Sequence, residues 1–214
     1  MVIHNLEQRS EEWFNIRLGK VTGSVMKDYF DTKGKLKSKS VLTGHISKKV
    51  SELLTGENVE SKFESYEMEH GTMFEEEALE NKFADGYETV GFVTSENDNI
   101  SHFGVSPDSI LTKGEKVVKA VEVKCPTNHV HTKYAITKQV PNEYKGQIGL
   151  YFVICSDIEE ITFLSYCPNM PDNLKRVEVV VTRESWSEYL ETLESSMIEL
   201  NTIIDNHFKE LSNV

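Results

Sequence analysis

An α/β sandwich built on a mixed sheet is the fold class that the sequence predicts, and three patterns predict it. The first is the order of hydrophobic periods: helical segments, then a meander of three strands, then helix, two strands and a closing helix. The second is the run Val117 to Val123, apolar on both faces of an alternating segment, which marks a buried central strand. The third is the stretch from Glu184 to about Leu211, whose Trp186, Leu190, Leu193, Met197, Leu200 and Ile204 recur at helical spacing and form one apolar stripe.

In chain order, Ser10 reads as an N-cap, with Glu11 and Glu12 in the first turn of a helix running to Leu18 and ended by Gly19. A short helix begins near Thr22-Gly23-Ser24 and turns Val25, Met26, Tyr29 and Phe30 inward. A lysine-rich loop leads to a helix over about 40–55 that stops at Gly56. Another spans about 66–85, carries Met68, Phe74, Ala78, Leu79 and Phe83, and stops at Gly86. Strands follow near 87–95, 101–111 and 117–124, the last two joined by the turn Thr112-Lys113-Gly114-Glu115. Residues 129–155 are mainly helical, with Pro141 opening the second part, and strands near 158–166 and 176–182 precede the final helix. No internal repeat or linker interrupts residues 1–214, so a single domain is expected.

Composition narrows the function classes. Hydrophobic content of 38% and a mean hydropathy of -0.40 suit a soluble globular chain. The longest apolar segment, around Ile148–Cys155, is too short to span a membrane, and the first residues do not resemble a signal peptide. Cys125, Cys155 and Cys167 form no Cys-x-x-Cys pair, which argues against zinc or iron–sulfur and for a reducing cytoplasm. The net charge of -12 argues at first against a nucleic-acid partner. The charge is segregated, however. Residues 33–49 hold six lysines and no acid, 57–80 hold nine acids against Lys62, and 184–214 hold seven acids against Lys209. A chain that binds nucleic acid on one side and stays soluble on the others would look like this, as would one with a solvated lysine loop.

Glu-x-Lys occurs four times, and only Glu122-Val123-Lys124 closes an apolar strand with Ser106-Pro107-Asp108-Ser109 upstream. Glu60-Ser61-Lys62, Glu80-Asn81-Lys82 and Glu143-Tyr144-Lys145 lie in polar or helix-like stretches. In the strand, Val118, Ala120, Glu122 and Lys124 are expected on one face and Val117, Val121 and Val123 on the other. A buried carboxylate beside a lysine is tolerable at the open end of such a strand if a metal ion shares the site. Asp108, brought across the hairpin, adds a second carboxylate. Two hard oxygen ligands and a backbone carbonyl suit Mg²⁺ or Mn²⁺, which polarise a phosphate and acidify water, while Lys124 orients that water or offsets charge. A surface hairpin ending in a salt bridge is the plain alternative.

Three further groups stand out. Glu75, after Gly71-Thr72-Met73-Phe74, is placed to bring a third acid near the metal, although alone it reads as part of a solvated acidic run. Gln147 and Tyr151 share one face of an otherwise apolar helix and need polar partners there, whether substrate, water or backbone. Arg17 beside the hydroxyls and amides of Thr22-Gly23-Ser24 makes an anion site at a helix start, or simply a cap with a surface arginine.

Together these residues resemble the lambda exonuclease family of phage recombination nucleases, also called YqaJ-type, within the PD-(D/E)XK superfamily. The resemblance runs from Gln8-Arg9-Ser10-Glu11-Glu12-Trp13 and Arg17 to Ser24, through Gly71 to Glu75, Ser106-Pro107-Asp108 and Val121 to Pro126, to Gln147, Tyr151 and Tyr166-Cys167-Pro168. It implies a restriction-endonuclease-like core, with the five strands above in one central mixed sheet flanked by helices. It further implies an Mg²⁺-dependent exonuclease that degrades the 5′-ended strand of linear double-stranded DNA and leaves a 3′ overhang for recombination. By likeness, Asp108 and Glu122 ligate the metal with the Val123 carbonyl, and Glu75 contributes directly or through water. Lys124 acts on the attacking water, while Arg17 and Ser24, with Thr22, hold the 5′ phosphate. A homotrimeric ring and a single-strand annealing protein as partner are also implied, as is a bacterial host cytoplasm if the gene is phage-borne. Competing expectations are an endonuclease of restriction or repair type and a non-catalytic DNA-binding protein on the same fold.

Overall fold

The computed structural model describes residues 1–58 and 66–213, with the side chains of 66–73 left aside. Glu60-Ser61-Lys62 therefore lies outside the described residues, and the Met68 side chain is not described. The elements are β1 (Val2–His4), α1 (Glu11–Ile16), β2 (Val21–Thr22), α2 (Met26–Tyr29), α3 (Lys39–Thr55), α4 (Tyr66–Ala84), β3 (Phe92–Thr94), β4 (Phe103–Val105), β5 (Ser109–Lys113), β6 (Lys116–Lys124), α5 (Asn128–Thr137), α6 (Asn142–Ile154), β7 (Glu160–Tyr166), β8 (Arg176–Thr182) and α7 (Ser187–Ser212).

Local chemistry sets the boundaries. The Ser10 side chain accepts the Trp13 N–H at the start of α1, and Gly56 closes α3 in the left-handed region at φ 68°. Pro141 precedes α6, where its missing N–H costs nothing. Leu190, Leu193, Met197, Leu200 and Ile204 of α7 are buried as their spacing predicts, and Trp186, in a single 3-10 turn before α7, is partly buried against the same core. Glu80-Asn81-Lys82 lies in α4 and Glu143-Tyr144-Lys145 in α6. Among the described residues no helix is long and apolar enough to cross a membrane, and the three cysteines are free.

The strands do not gather into one five-stranded sheet. They divide into two mixed four-stranded sheets, ordered β1-β3-β4-β2 and β5-β6-β7-β8. The predicted strand 101–111 is the cause. Pro107 has no N–H to give a ladder and pushes its predecessor out of register, so the segment breaks into β4 and β5, one in each sheet. The predicted strand 87–95 divides likewise: Glu88 bridges Ile110 beside the second sheet, while Phe92–Thr94 joins the first. Ser106-Pro107-Asp108 is thus the passage between sheets.

Strand β6 is central, antiparallel to β5 and parallel to β7, with α5 and α6 forming the long crossover a parallel pair requires. One reading of its faces is corrected. The register between β5 and β6 shifts between Leu111 and Thr112, where Val118 is passed over. Such a bulge reverses the alternation on its far side. Val117 accordingly packs in the main core with Ala120, whereas Val121 and Val123 pack with Ala78, Leu79, Leu164 and Tyr166.

Lys49 departs from the basic surface expected of 33–49. It is buried, pairs with Glu52 at 3.0 Å, and that carboxylate accepts the Gly19 N–H at 3.0 Å. Gly91 marks another close approach, this one under the site. A Cβ there would lie 2.1 Å from the Leu6 carbonyl oxygen and 2.7 Å from that of His4, both backbone atoms unable to rotate away. Gly91→Ala should therefore cost about 1–3 kcal/mol, the usual range for overpacking, read from the urea midpoint. A loss under about 0.5 kcal/mol would mean that the Leu6 segment shifts freely.

Candidate active site

Glu122 sits two residues before the end of β6 and is 1% exposed. A carboxylate this deep requires partners for both oxygens, and three residues supply them. Gln147 Nε2 donates to Oε1 at 2.6 Å, the Lys124 ammonium also contacts Oε1, and the Tyr151 hydroxyl donates to Oε2. Gln147 further donates to the Tyr151 oxygen at 3.2 Å, and that hydroxyl lies 3.3 Å from the Ser106 carbonyl. The partners expected for Gln147 and Tyr151 are therefore Glu122 and each other. Alternation along β6 puts Glu122 and Lys124 on one side, and the i, i+4 spacing of α6 stacks Gln147 over Tyr151 against them.

Asp108 reaches the same place by another route. Standing just past the break at Pro107, its Oδ2 accepts the Val123 N–H at 2.6 Å. Glu75, half-buried on α4, comes against it, and a side-chain hydrogen bond joins the two carboxyls. The structure thus brings Asp108, Glu122, Lys124, Glu75, Gln147 and Tyr151 together from β6, α4, α6 and the passage between the sheets. In front lies a cleft of about 1170 Å³, lined by Glu75, Glu76, Glu88, Asp108 and the segment Asn5–Arg9.

Crowded charge governs the protonation of these groups. Burial, then Glu122, then Glu75 raise the Asp108 carboxyl well above its ordinary value. Burial and then Glu122 raise that of Glu75, against the pull of Lys124 and Arg9. Burial alone would lower the Lys124 ammonium, but Glu122 and Asp108 outweigh it and hold the group above the usual lysine range. Lys124 is therefore held as the ammonium by the carboxylates beside it. Cys125, next in sequence, is pushed up to about 12 by burial and by Glu75 and Asp108, so it remains a thiol.

Among the described residues no three His, Cys, Asp or Glu side chains form a ready-made metal cage. The donor chemistry nonetheless fits a hard divalent cation: carboxylate oxygens forced together with a lysine ammonium beside them. Like charges sharing a proton in the absence of a cation are what a cation would relieve.

The anion-site residues assemble nearby. Arg17 Nη2 donates to Thr22 Oγ1 at 3.3 Å, and the guanidinium lies 3.8 Å from the Trp13 ring centroid. Thr22 is buried and caps nothing with its side chain, whereas Ser24 is exposed on the single 3-10 turn of Gly23–Val25. That turn abuts the carboxylate centre: a Cβ on Gly23 would lie 2.8 Å from Gln147 Cγ. Trp13 extends the link, its Nε1 donating to the Gly91 carbonyl at 3.0 Å and to Ser106 Oγ at 3.1 Å. The sequence offered no sign that Trp13 would hold the Ser106-Pro107-Asp108 passage, or that Gln8 and Arg9 would line the cleft, since these contacts join residues about eighty or more positions apart. A separate groove of about 820 Å³ between α3 and α7, lined by Leu42, Ile46, Val50, Leu54, Ile203 and Leu211, contains none of these carboxylates.

The raised Asp108 value has a measurable sign. A carboxyl that holds its proton more tightly folded than unfolded favours the fold below its unfolded value of about 3.9, and that advantage is lost as pH climbs through the folded value. With chelator present, Asp108→Asn should raise the melting temperature at about pH 8 more than at about pH 5, by roughly 2–4 °C per kcal/mol of relieved repulsion. A change equal at both pH values would show that Asp108 is not the strained group.

Residues 12–158 match the model of the YqaJ-like viral recombinase domain. No curated protein matches significantly. Among solved structures, the chain is similar to the alkaline exonuclease LHK-Exo of Laribacter hongkongensis, with a TM-score of 0.72 and 24% identity over 95% of this chain and 99% of that one. The same enzyme in complex with dAMP aligns with a TM-score of 0.72 and 23% identity over the same shares. A phage-related exonuclease from Haemophilus somnus aligns with a TM-score of 0.52 and 14% identity over 88% of this chain and 96% of that one. At these identities the structures establish the fold, and the matched domain establishes the family: the chain belongs to the YqaJ-like viral recombinase family.

Proposed function

We propose that the protein is a metal-dependent 5′-to-3′ exonuclease acting on linear double-stranded DNA, hydrolysing the 5′-ended strand and leaving a 3′ single-stranded overhang for recombination. The observation that carries this reading is the convergence of Asp108, Glu122 and Lys124, with Glu75 beside them, where Asp108 and Glu75 line a cleft. Family membership and the exonuclease fold support it.

Mg²⁺, or Mn²⁺ in its place, would be held by Asp108, Glu122 and the Val123 carbonyl, with Glu75 direct or through water. When bound, such an ion polarises the scissile phosphate and acidifies water. The chain's own groups do the rest. Lys124, a cation, orients the attacking water and offsets charge developing on the phosphate. Gln147 and Tyr151 fix the Glu122 carboxylate by hydrogen bonds to separate oxygens, so it does not reorient when substrate arrives. Arg17, Thr22 and Ser24 receive the terminal 5′ phosphate on the turn that abuts Gln147, which sets the distance from the strand end to the carboxylates. A closed homo-oligomer, a trimer, and a single-strand annealing partner belong to the same proposal, drawn from family likeness and the segregation of charge along the chain.

Asp108→Ala and Glu122→Ala should each abolish cleavage of end-labelled linear duplex in Mg²⁺ while circular dichroism stays native. More than about a tenth of wild-type activity in either would place the chemistry elsewhere, since one lost catalytic group commonly costs about 10²-fold or more. Lys124→Ala should lower turnover more than DNA binding.

Polarity has its own test. A 5′-hydroxyl end deprives Arg17 of a charge-assisted partner, worth about 1.5–3 kcal/mol or roughly tenfold to a hundredfold in rate. Arg17→Ala should be slow on both ends and lose most of the preference between them. Equal digestion of both ends by the wild type, or digestion of covalently closed circles, would favour an endonuclease instead.

A further inference from the structure

The turn that leads the chain into the cleft holds a cation that the chemistry above leaves unused. Ser10 N–H donates to the Glu7 carbonyl at 3.1 Å, closing a four-residue turn whose third residue, Arg9, has φ 70°. That is the position a type II turn ordinarily gives to Gly or Asn, because a Cβ crowds its own backbone in the left-handed region. The turn is fixed from both sides. Gln8 Nε2 donates to the Val90 carbonyl at 2.8 Å, and Ser10 Oγ accepts the Trp13 N–H at 3.2 Å. Arg9 is therefore presented from a held tip, and it is exposed.

What it faces is acidic. The cleft lining includes Glu7, Glu75, Glu76, Glu88 and Asp108, and Arg9 is the one basic residue among the described residues that line it. Its charge is felt at the centre, where it draws the Glu75 carboxyl down against burial. A phosphodiester entering here meets carboxylates first, and an ion confined to the centre does not screen the whole approach. A guanidinium at the entrance supplies attraction and a planar pair of donors for phosphate oxygens. Backbone strain retained at a cleft mouth, where Gly would be relaxed, points to a role for the side chain itself.

We propose that Arg9 binds a backbone phosphate of the nucleic-acid strand entering the carboxylate cleft, and so sets affinity for the substrate beyond its terminal phosphate. This rests on the nuclease reading, and the test separates the two. Arg9→Gly and Arg9→Lys in the full chain are assayed on 5′-phosphorylated linear duplex across a salt series and a Mg²⁺ titration. Duplex binding in Ca²⁺ and urea unfolding are measured in parallel. Arg9→Gly should fold with stability equal to or above wild type, because glycine relaxes the turn. Its KM and its duplex Kd should rise about tenfold with kcat little changed, as for loss of one charge-assisted contact. The slope of log affinity against log salt should become shallower by about 1, the signature of one lost phosphate. Arg9→Lys should fall between the two. Unchanged KM, Kd and salt slope would overturn the proposal. So would a shift confined to the Mg²⁺ midpoint, which would make Arg9 a charge partner of Glu75. A wild type that cleaves no duplex would sink the nuclease reading instead, and the binding arm would still decide Arg9.

Discussion

The Glu122 carboxylate is the constraint on which the rest of the structure turns. A carboxylate 1% exposed on a strand covered on both faces costs several kcal/mol if left without partners. Its partners come from two directions: Lys124 from the same strand, Gln147 and Tyr151 from α6. Each partner is itself held. Gly23 closes on Gln147, and the Tyr151 hydroxyl lies beside Ser106, whose side chain is bound by Trp13. Withdrawing α6 would strip a buried charge of its donors, so the site and the core cannot loosen independently. Burial works against the charge on Lys124, and it is Glu122 and Asp108 beside it that keep the ammonium.

The second organising feature is the break at Pro107. One proline divides what would be a continuous strand, sends its halves to different sheets, and leaves Asp108 outside the ladder with its carboxylate on the Val123 N–H. Gly91 allows β1 and its following loop to approach closely enough for Gln8 to bind the Val90 carbonyl, Arg9 to line the cleft and Trp13 to reach this passage. The acidic cleft is thus assembled from the N-terminal segment, α4, residues 88–91 and Asp108, parts of the chain that share no local pattern.

The placing of charge explains how a chain with a net charge of -12 is compatible with the polyanionic substrate proposed for it. The acids around the cleft are those that suit a divalent cation, while Arg9 lines it, Arg17 stands at the neighbouring turn and Lys124 pairs with Glu122. The lysine run of 33–49 contributes less than its count implies, because Lys49 is spent on Glu52 inside the fold. Lys33 and Lys35 stay exposed, their backbone amides held by Asp31.

Sequence alone determined where the main helices are capped and which residues are candidates for chemistry. Caps at Ser10, Gly56 and Pro141, the apolar stripe of α7, and the placing of Glu122 and Lys124 on one strand are set by interactions within a few residues, so their signals are written locally. Tertiary structure decided what depends on distant neighbours. The division into two sheets, the bulge that moved Val117 to the other core, the burial of Lys49 and the entry of Arg9 into the cleft are not local properties. Partners for Gln147 and Tyr151 were foreseen as a need but not by name, because a polar group's requirement is intrinsic while the atom that meets it is supplied by packing. Alternation and helical period specify faces; a single bulge or a proline between strands changes which face meets which, and only the assembled chain resolves it.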